Sequence, residues 1–158
     1  VNKELKAYFC IQAKIAAAFN FFINGMIASM IYHAANEVPT DVISIGIDLA
    51  ITCLFTSTIT AYVIRHGLKS TGTAGVLPPA NGFVRFLAKL FRFPLGFGIL
   101  TGLAAAAALF AIAAPAFALL NITSLPFYLY VLLKSFFSLV FGAGITIFSM
   151  YAGICKTK

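Results

Sequence analysis

The chain has 158 residues, of which 61% are hydrophobic and only 9% charged, with 17 phenylalanines; soluble domains carry about 25% charged residues. The formal charge of +7 follows from membrane topology and attraction to anionic lipid headgroups, so nucleic acid is not expected as a partner. No nucleophile and base pair, phosphate-binding glycine loop or metal-ligand cluster is present, which excludes an enzyme and any cofactor from the expected functions.

The first span is residues 15–35, preceded by Lys3, Lys6 and Lys14. Its apolar run is too long for the roughly 7 to 15 residues of a signal-peptide core, and no soluble domain follows it. Asn20 and Asn24 fall on one face beside Gly25. Two carboxamides in hydrocarbon need partners, either a substrate or a neighbouring helix. At the end of this span His33, Glu37 and Asp41 gather, but without the tight spacing or second histidine of a metal site, so no metal is expected.

The second span, residues 42–64, contains Asp48 within the stripe Ser44, Asp48, Thr52, Thr56 and Thr60. Steps of four residues advance about 40° around a helix, so the stripe winds gently. It reads as a polar track along a cavity or as a packing face, since Ser and Thr let helices approach closely.

Residues 67–93 form a cytoplasmic linker, of which the part from Gly67 to Ala80 is rich in Gly, Ser, Thr and Pro, broken by Pro78 and Pro79, and expected to be mobile. From Asn81, a good N-cap, the run Gly82 to Phe93 sets Arg85, Lys89 and Arg92 on one face, with Phe83, Phe86, Leu87, Leu90 and Phe91 around the rest. This is the pattern of an amphipathic helix lying in the membrane interface, its aromatics in the acyl boundary and its cations at anionic headgroups. Pro94 then permits a sharp turn into the third span, residues 95–119, where Gly98 and Gly102 form GxxxG, a mark of close helix contact. Asn121-Ile122-Thr123 fits a glycosylation acceptor but lies in a short turn close to the membrane. The fourth span, residues 127–152, contains Lys134, Ser138 and Gly142. A barrel would need alternating strands of about ten residues, and these runs are continuously apolar.

The expected fold is therefore an all-α integral membrane protein with four transmembrane helices arranged as two hairpins, residues 1–66 and 94–158, joined by the linker. Of the eleven Lys and Arg residues all but Lys134 fall near the termini or between the second and third spans. That places both termini in the cytoplasm, as would suit a bacterial inner membrane. Laying the second span over the fourth takes Asp48 to Lys134, Thr52 to Ser138, Thr56 to Gly142 and Thr60 to Thr146, which suggests a parallel internal repeat of the kind common in transporters. Cys10, Cys53 and Cys155 read as unpaired structural thiols.

Asp48 and Lys134 each lie roughly 10–12 Å inside the outer end of their span, close enough in depth to meet. The alternatives are a coupling site, at which a proton or a substrate cation competes with Lys134 for Asp48, a permanent pair fixing helix register, and a Lys134 that snorkels to the outer headgroups. Asn20, Asn24, Asp48 and Lys134, with Thr52 and Ser138, are the side chains that a crossing solute would meet. The segment Leu77 to Gly102, LPPANGFVRFLAKLFRFPLGFGILTG, resembles small bacterial membrane proteins described as permeases, and that resemblance implies transport. The four spans also invite comparison with small multidrug-resistance exporters, from which the chain departs in having no glutamate in its first span. The expected function is a small transporter or channel for a polar solute or ion, expected to be a homo-oligomer because four helices alone enclose little water; the alternative is an accessory membrane protein in which the charge pair is structural.

Overall fold

A computed structural model describes residues 3–78 and 81–155; Pro79 of the linker and Lys156 and Lys158 at the C-terminus, used in the sequence reading, lie outside the described residues. In chain order the elements are α1 (Lys3–Tyr32), β1 (Glu37–Pro39), α2 (Val42–Ser70), α3 (Gly82–Leu90), α4 (Pro94–Leu119), β2 (Ser124–Pro126) and α5 (Phe127–Ile154). Four of the helices, over Ala7–Tyr32, Val42–Ser70, Pro94–Leu119 and Phe127–Ile154, are long and apolar enough to cross a membrane, as expected of an integral membrane protein. Helix α1 begins well before residue 15, and α2 continues past residue 64 to Ser70. Backbone hydrogen bonding does not stop where hydropathy does, so both helices run on through polar sequence.

Helix α1 packs along α5 and α4 along α2, with α2 and α5 in contact between them, whereas the sequence neighbours α1 and α2 scarcely touch. The spatial order is thus α1, α5, α2, α4. Many of the buried residues within the spans are small or hydroxylated, among them Thr52, Thr56, Ser57 and Thr60 on α2, and Ser135, Ser138, Gly142 and Thr146 on α5. Large apolar residues such as Phe55 and Val140 point outward. Lipid is as apolar as leucine, so helices in a bilayer gain most from close backbone approach and interhelical hydrogen bonds. Gly98 and Gly102 of α4 supply that approach. A Cβ on Gly102 would stand 2.9 Å from the Cys53 carbonyl oxygen and from Leu54 Cα, and Gly98 abuts the Thr58 backbone.

The connectors are more ordered than their composition suggests. At one end of the bundle β1 and β2 pair antiparallel, Val38 opposite Leu125, and Thr40 donates from its backbone to Thr123 and from its hydroxyl to the Ile122 carbonyl. At the other end the first part of the linker, expected to be mobile, is tied down. Gly72, at φ 68°, closes a Schellman motif on α2, with the Thr73 amide donating to the Leu68 carbonyl. Gly75 and Leu77 then donate to the Gly153 and Ile154 carbonyls, satisfying orphan acceptors at the end of α5.

Helix α3 is capped by Asn81, whose side chain accepts from the Val84 amide at 2.9 Å. It differs from expectation in what its apolar side covers. Val84, Leu87, Ala88 and Phe91 are buried in a cluster with Leu68, Phe97, Met150 and Ile154, so this face docks on protein. Phe83, Phe86 and Phe93 stay exposed beside Arg85, Lys89 and Arg92. Protein contact takes about half of the apolar arc because α4 and α5 end directly beneath it.

Replacing Gly102 by Val should lower the stability of the detergent-solubilised protein by about 1–3 kcal/mol, the usual cost of overpacking. Gly144→Ala, where a Cβ meets nothing within 4 Å, should be neutral or slightly stabilising. Thermal unfolding of the two variants checks this.

A polar-floored groove between helices 1 and 2

Because α1 and α2 both lean on α5 without meeting, a groove of about 790 Å³ remains between them, walled by α1 and α2 and floored by Lys134 and Thr146 of α5. It extends from Ser44 to Ile64 along α2, about 30 Å at 1.5 Å per residue, the thickness of the hydrocarbon layer.

Residues in steps of four build each wall. On α2 the inner row is Ser44, Asp48, Thr52, Thr56 and Thr60, and the outer row is Ile47, Ile51, Phe55, Ile59 and Val63. Helix α1 has the same construction: Gln12, Ala16, Asn20 and Asn24 inside, and Ile15, Phe19, Ile23, Ile27 and Ile31 outside. The periodicity of four keeps each row on one side of its helix. The result is a polar floor between two apolar lips.

Near the end of the groove closest to the β1–β2 pair, Lys134 Nζ is paired with Asp48 Oδ1. The two are unequally sealed. The Lys134 side chain is 8% exposed and the Asp48 side chain 27%, so the carboxylate presents itself to the groove and the ammonium lies behind it. Lys134 also sits over the Tyr130 ring, 5.8 Å from its centroid, a cation–π distance. Tyr130 in turn meets Tyr32 edge-on at 5.2 Å. The geometry excludes a Lys134 that snorkels to the headgroups, since its amine is committed to a carboxylate.

Further along the groove Thr56 donates to Asn20 Oδ1 at 3.4 Å, a hydrogen bond between α2 and α1. The amide nitrogens of Asn20 and Asn24 donate to carbonyls of their own helix, those of Ala16 and Asn20. Their side-chain oxygens are thereby left as the acceptors directed away from the backbone. Asn20, Asn24, Asp48, Thr52 and Lys134 therefore share one groove. Ser138 does not line it. It is fully buried, and its hydroxyl has no partner among the described residues, as is true of Ser57 and Ser149.

The outer-edge trio is dispersed into structural roles. His33 Nδ1 contacts the Met30 carbonyl, Ser124 donates to Glu37, and Asp41 caps α2 by accepting from the Ile43 and Ser44 amides and the Ser44 hydroxyl. These bonds, that of the Ser44 side chain foremost, hold the Asp41 carboxyl below its ordinary range. Asp41 is accordingly occupied as a cap at neutral pH.

Sequence reasoning missed Tyr130, Tyr32 and Gln12, and noted Thr146 only as the repeat counterpart of Thr60. Tyr130 was signalled by its place one turn before Lys134, and Gln12 by its place in the four-residue series that leads to Asn20. Thr146 back-bonds to the Gly142 carbonyl at 2.7 Å, and only the packing of α5 shows that it faces the groove. Comparison of the chain with protein-family models, with curated proteins and with solved structures finds no match, so the groove itself must carry the functional argument.

Removing either charge should expose the asymmetry of the pair. Asp48→Asn strands a sealed ammonium and should cost roughly 3–5 kcal/mol, as broken buried pairs do. Lys134→Met leaves a carboxylate that faces the groove and can take a proton, and should cost less. The double variant should recover most of the loss, read as unfolding midpoints in detergent.

Proposed function

We propose that the protein is a small membrane transporter or channel for a polar solute or ion, with the α1–α2 groove as its pathway and the Asp48–Lys134 pair as its switch. The observation that carries this reading is convergence. Side chains from α1, α2 and α5 that are costly in hydrocarbon line one groove as deep as the bilayer, and intramembrane polarity gathered in this way marks pathways. A cation or proton that takes the carboxylate weakens its hold on Lys134, and with it the α2–α5 contact at the outer end.

In this proposal the termini and the linker face the cytoplasm, where the basic residues collect, and the host membrane is a bacterial inner membrane, in keeping with the resemblance to small permeases. Arg85 and Lys89, with Arg92, reach anionic headgroups while Phe83, Phe86 and Phe93 enter the acyl boundary. A duplication is supported by the matched contacts of α1 with α5 and α4 with α2, and by β1 and β2 pairing about a centre at Val38 and Leu125. Homo-oligomerisation would enclose more water than four helices do alone. No enzymatic step enters this reading.

A second reading has one observation in its favour: an ammonium as sealed as that of Lys134 could serve as a permanent clamp of α2 to α5, in an accessory protein that moves nothing. Proteoliposomes separate the two. With guanidinium, which stays charged at working pH, as the test cation, the wild type should accumulate label under an imposed inside-negative potential, and Asp48→Asn/Lys134→Met should fall to the level of protein-free vesicles while keeping its unfolding midpoint. Equal rates for wild type and protein-free vesicles would favour the clamp.

A further inference from the structure

The shape of the groove narrows what it holds. Among the described residues nothing covers its mouth: Phe19, Ile31, Ile47, Phe55 and Val63 on the lips are each more than half exposed. A solute entering from water would meet these lips as a barrier, whereas a molecule already in the bilayer would meet them as a continuation of its own surroundings. Polarity is confined to the floor, where Lys134 and Asp48 are paired and the carboxylate, with 27% of its side chain exposed against 8% for Lys134, is the more accessible of the two charges. Small-molecule sites enclose about 300–1,000 Å³ with mostly apolar walls and few polar anchors; this groove has that volume and that distribution.

We propose that the groove binds an amphipathic amine that enters sideways from the bilayer, its ammonium at Asp48 and its hydrocarbon chain lying inward along Ile51, Phe55 and Ile59. This rests on the transporter reading above and assigns its substrate class. Lys134 donates to Oδ1 of Asp48 and the Tyr130 hydroxyl hydrogen-bonds to the same carboxylate, which has about four acceptor sites and so keeps room for a further donor. The bound ammonium has three N–H donors. Asn24 stands at a similar depth on the facing wall, eight residues inward of Tyr32 as Asp48 is seven inward of Asp41, with its amide nitrogen committed to the Asn20 carbonyl and its oxygen available. Thr52, one turn below Asp48, adds a hydroxyl. A chain pointing inward passes Phe55 about 10 Å from Asp48. An anionic amphiphile would meet the Asp48 carboxylate head-on, so charge complementarity selects the amine.

The chain contains no tryptophan, which gives a clean reporter. Phe55→Trp places one fluorophore on the lip of the groove. Leu103→Trp places one at similar depth on the exposed side of α4, 50% exposed as Leu103, as the control for simple partitioning. In phosphatidylcholine nanodiscs, undecylammonium brominated at its chain end should quench Phe55→Trp at about tenfold lower concentration than Leu103→Trp. Brominated undecanol should quench the two alike. Adding Asp48→Asn/Lys134→Met to Phe55→Trp should abolish the preference, and the unfolding midpoint of that variant shows that the loss is not one of folding. Equal quenching at the two positions, or a preference that survives without Asp48, overturns the proposal. So does a Phe55→Trp shielded from both probes, which would mean that a second copy of the chain fills the groove. If the amine shows no preference and guanidinium uptake persists, the substrate class falls and the transporter stands; if uptake is also absent, the transporter reading falls with it.

Discussion

An ammonium in the hydrocarbon layer requires a counter-charge, and that requirement fixes the relation of α2 to α5. Lys134 can be sealed to 8% exposure only because Asp48 stands opposite it, and Asp48 can stand there only if the two helices are in one register. Slipping either helix by a residue would turn its charge about 100° away from its partner. The seam below the pair follows the same constraint, since Thr52, Thr56 and Thr60 share the Asp48 side of α2 while Ser138 and Gly142 share the Lys134 side of α5. Small side chains on both faces let the backbones come near enough for the ion pair to close.

The groove is a consequence of that seam. With α5 held against α2, the place for α1 is on the free flank of α5, where Gly25 meets Ser135 and Gly142 meets Asn20. The connector of residues 33–41 is long enough to reach from there to α2, and β1 is fastened to β2 on the way. Helices α1 and α2 are thus neighbours in sequence but separated in space, and the Thr56 to Asn20 hydrogen bond is a polar contact between them at the bottom of the gap. An apolar floor there would invite closure by lipid chains alone; a polar one keeps a chemically distinct interior.

Much of this was legible in the residues. Hydropathy gave the four spans, intramembrane charge singled out Asp48 and Lys134, the Asn20 and Asn24 spacing put both on one face, Gly98 and Gly102 marked a close contact, and Asn81 marked the start of α3. Periodicity says which residues share a side of a helix, but not which helix that side meets. For this reason Ser138 read as part of the track, although it is buried in the bundle away from the groove, and Leu87 and Phe91 read as lipid-facing, although they dock on protein. The order of the linker was hidden for a related reason. Gly72 and Gly75 look like flexibility in a sequence, and in the structure their positive φ values of 68° and 66° form the turns that bring backbone donors to the ends of α2 and α5.

The proposed duplication bears on why the pair is made of unlike charges. Two identical chains related by a two-fold axis would bring the same residue to the α2 and α5 positions, and two aspartates or two lysines facing each other in low dielectric repel, so that one must stay neutral. Fusing the halves into one chain lifts that symmetry. One half can then hold an acid and the other a base at equivalent places, and each half is free to diverge around its own flank. Phe110 of α4 packs on Gly46 of α2, where a Cβ would lie 3.1 Å from its ring, in the seam that the proposal pairs with that of α1 and α5. In the proposed two-fold arrangement the charge pair lies where the two halves differ most in chemistry, an acid on one and a base on the other.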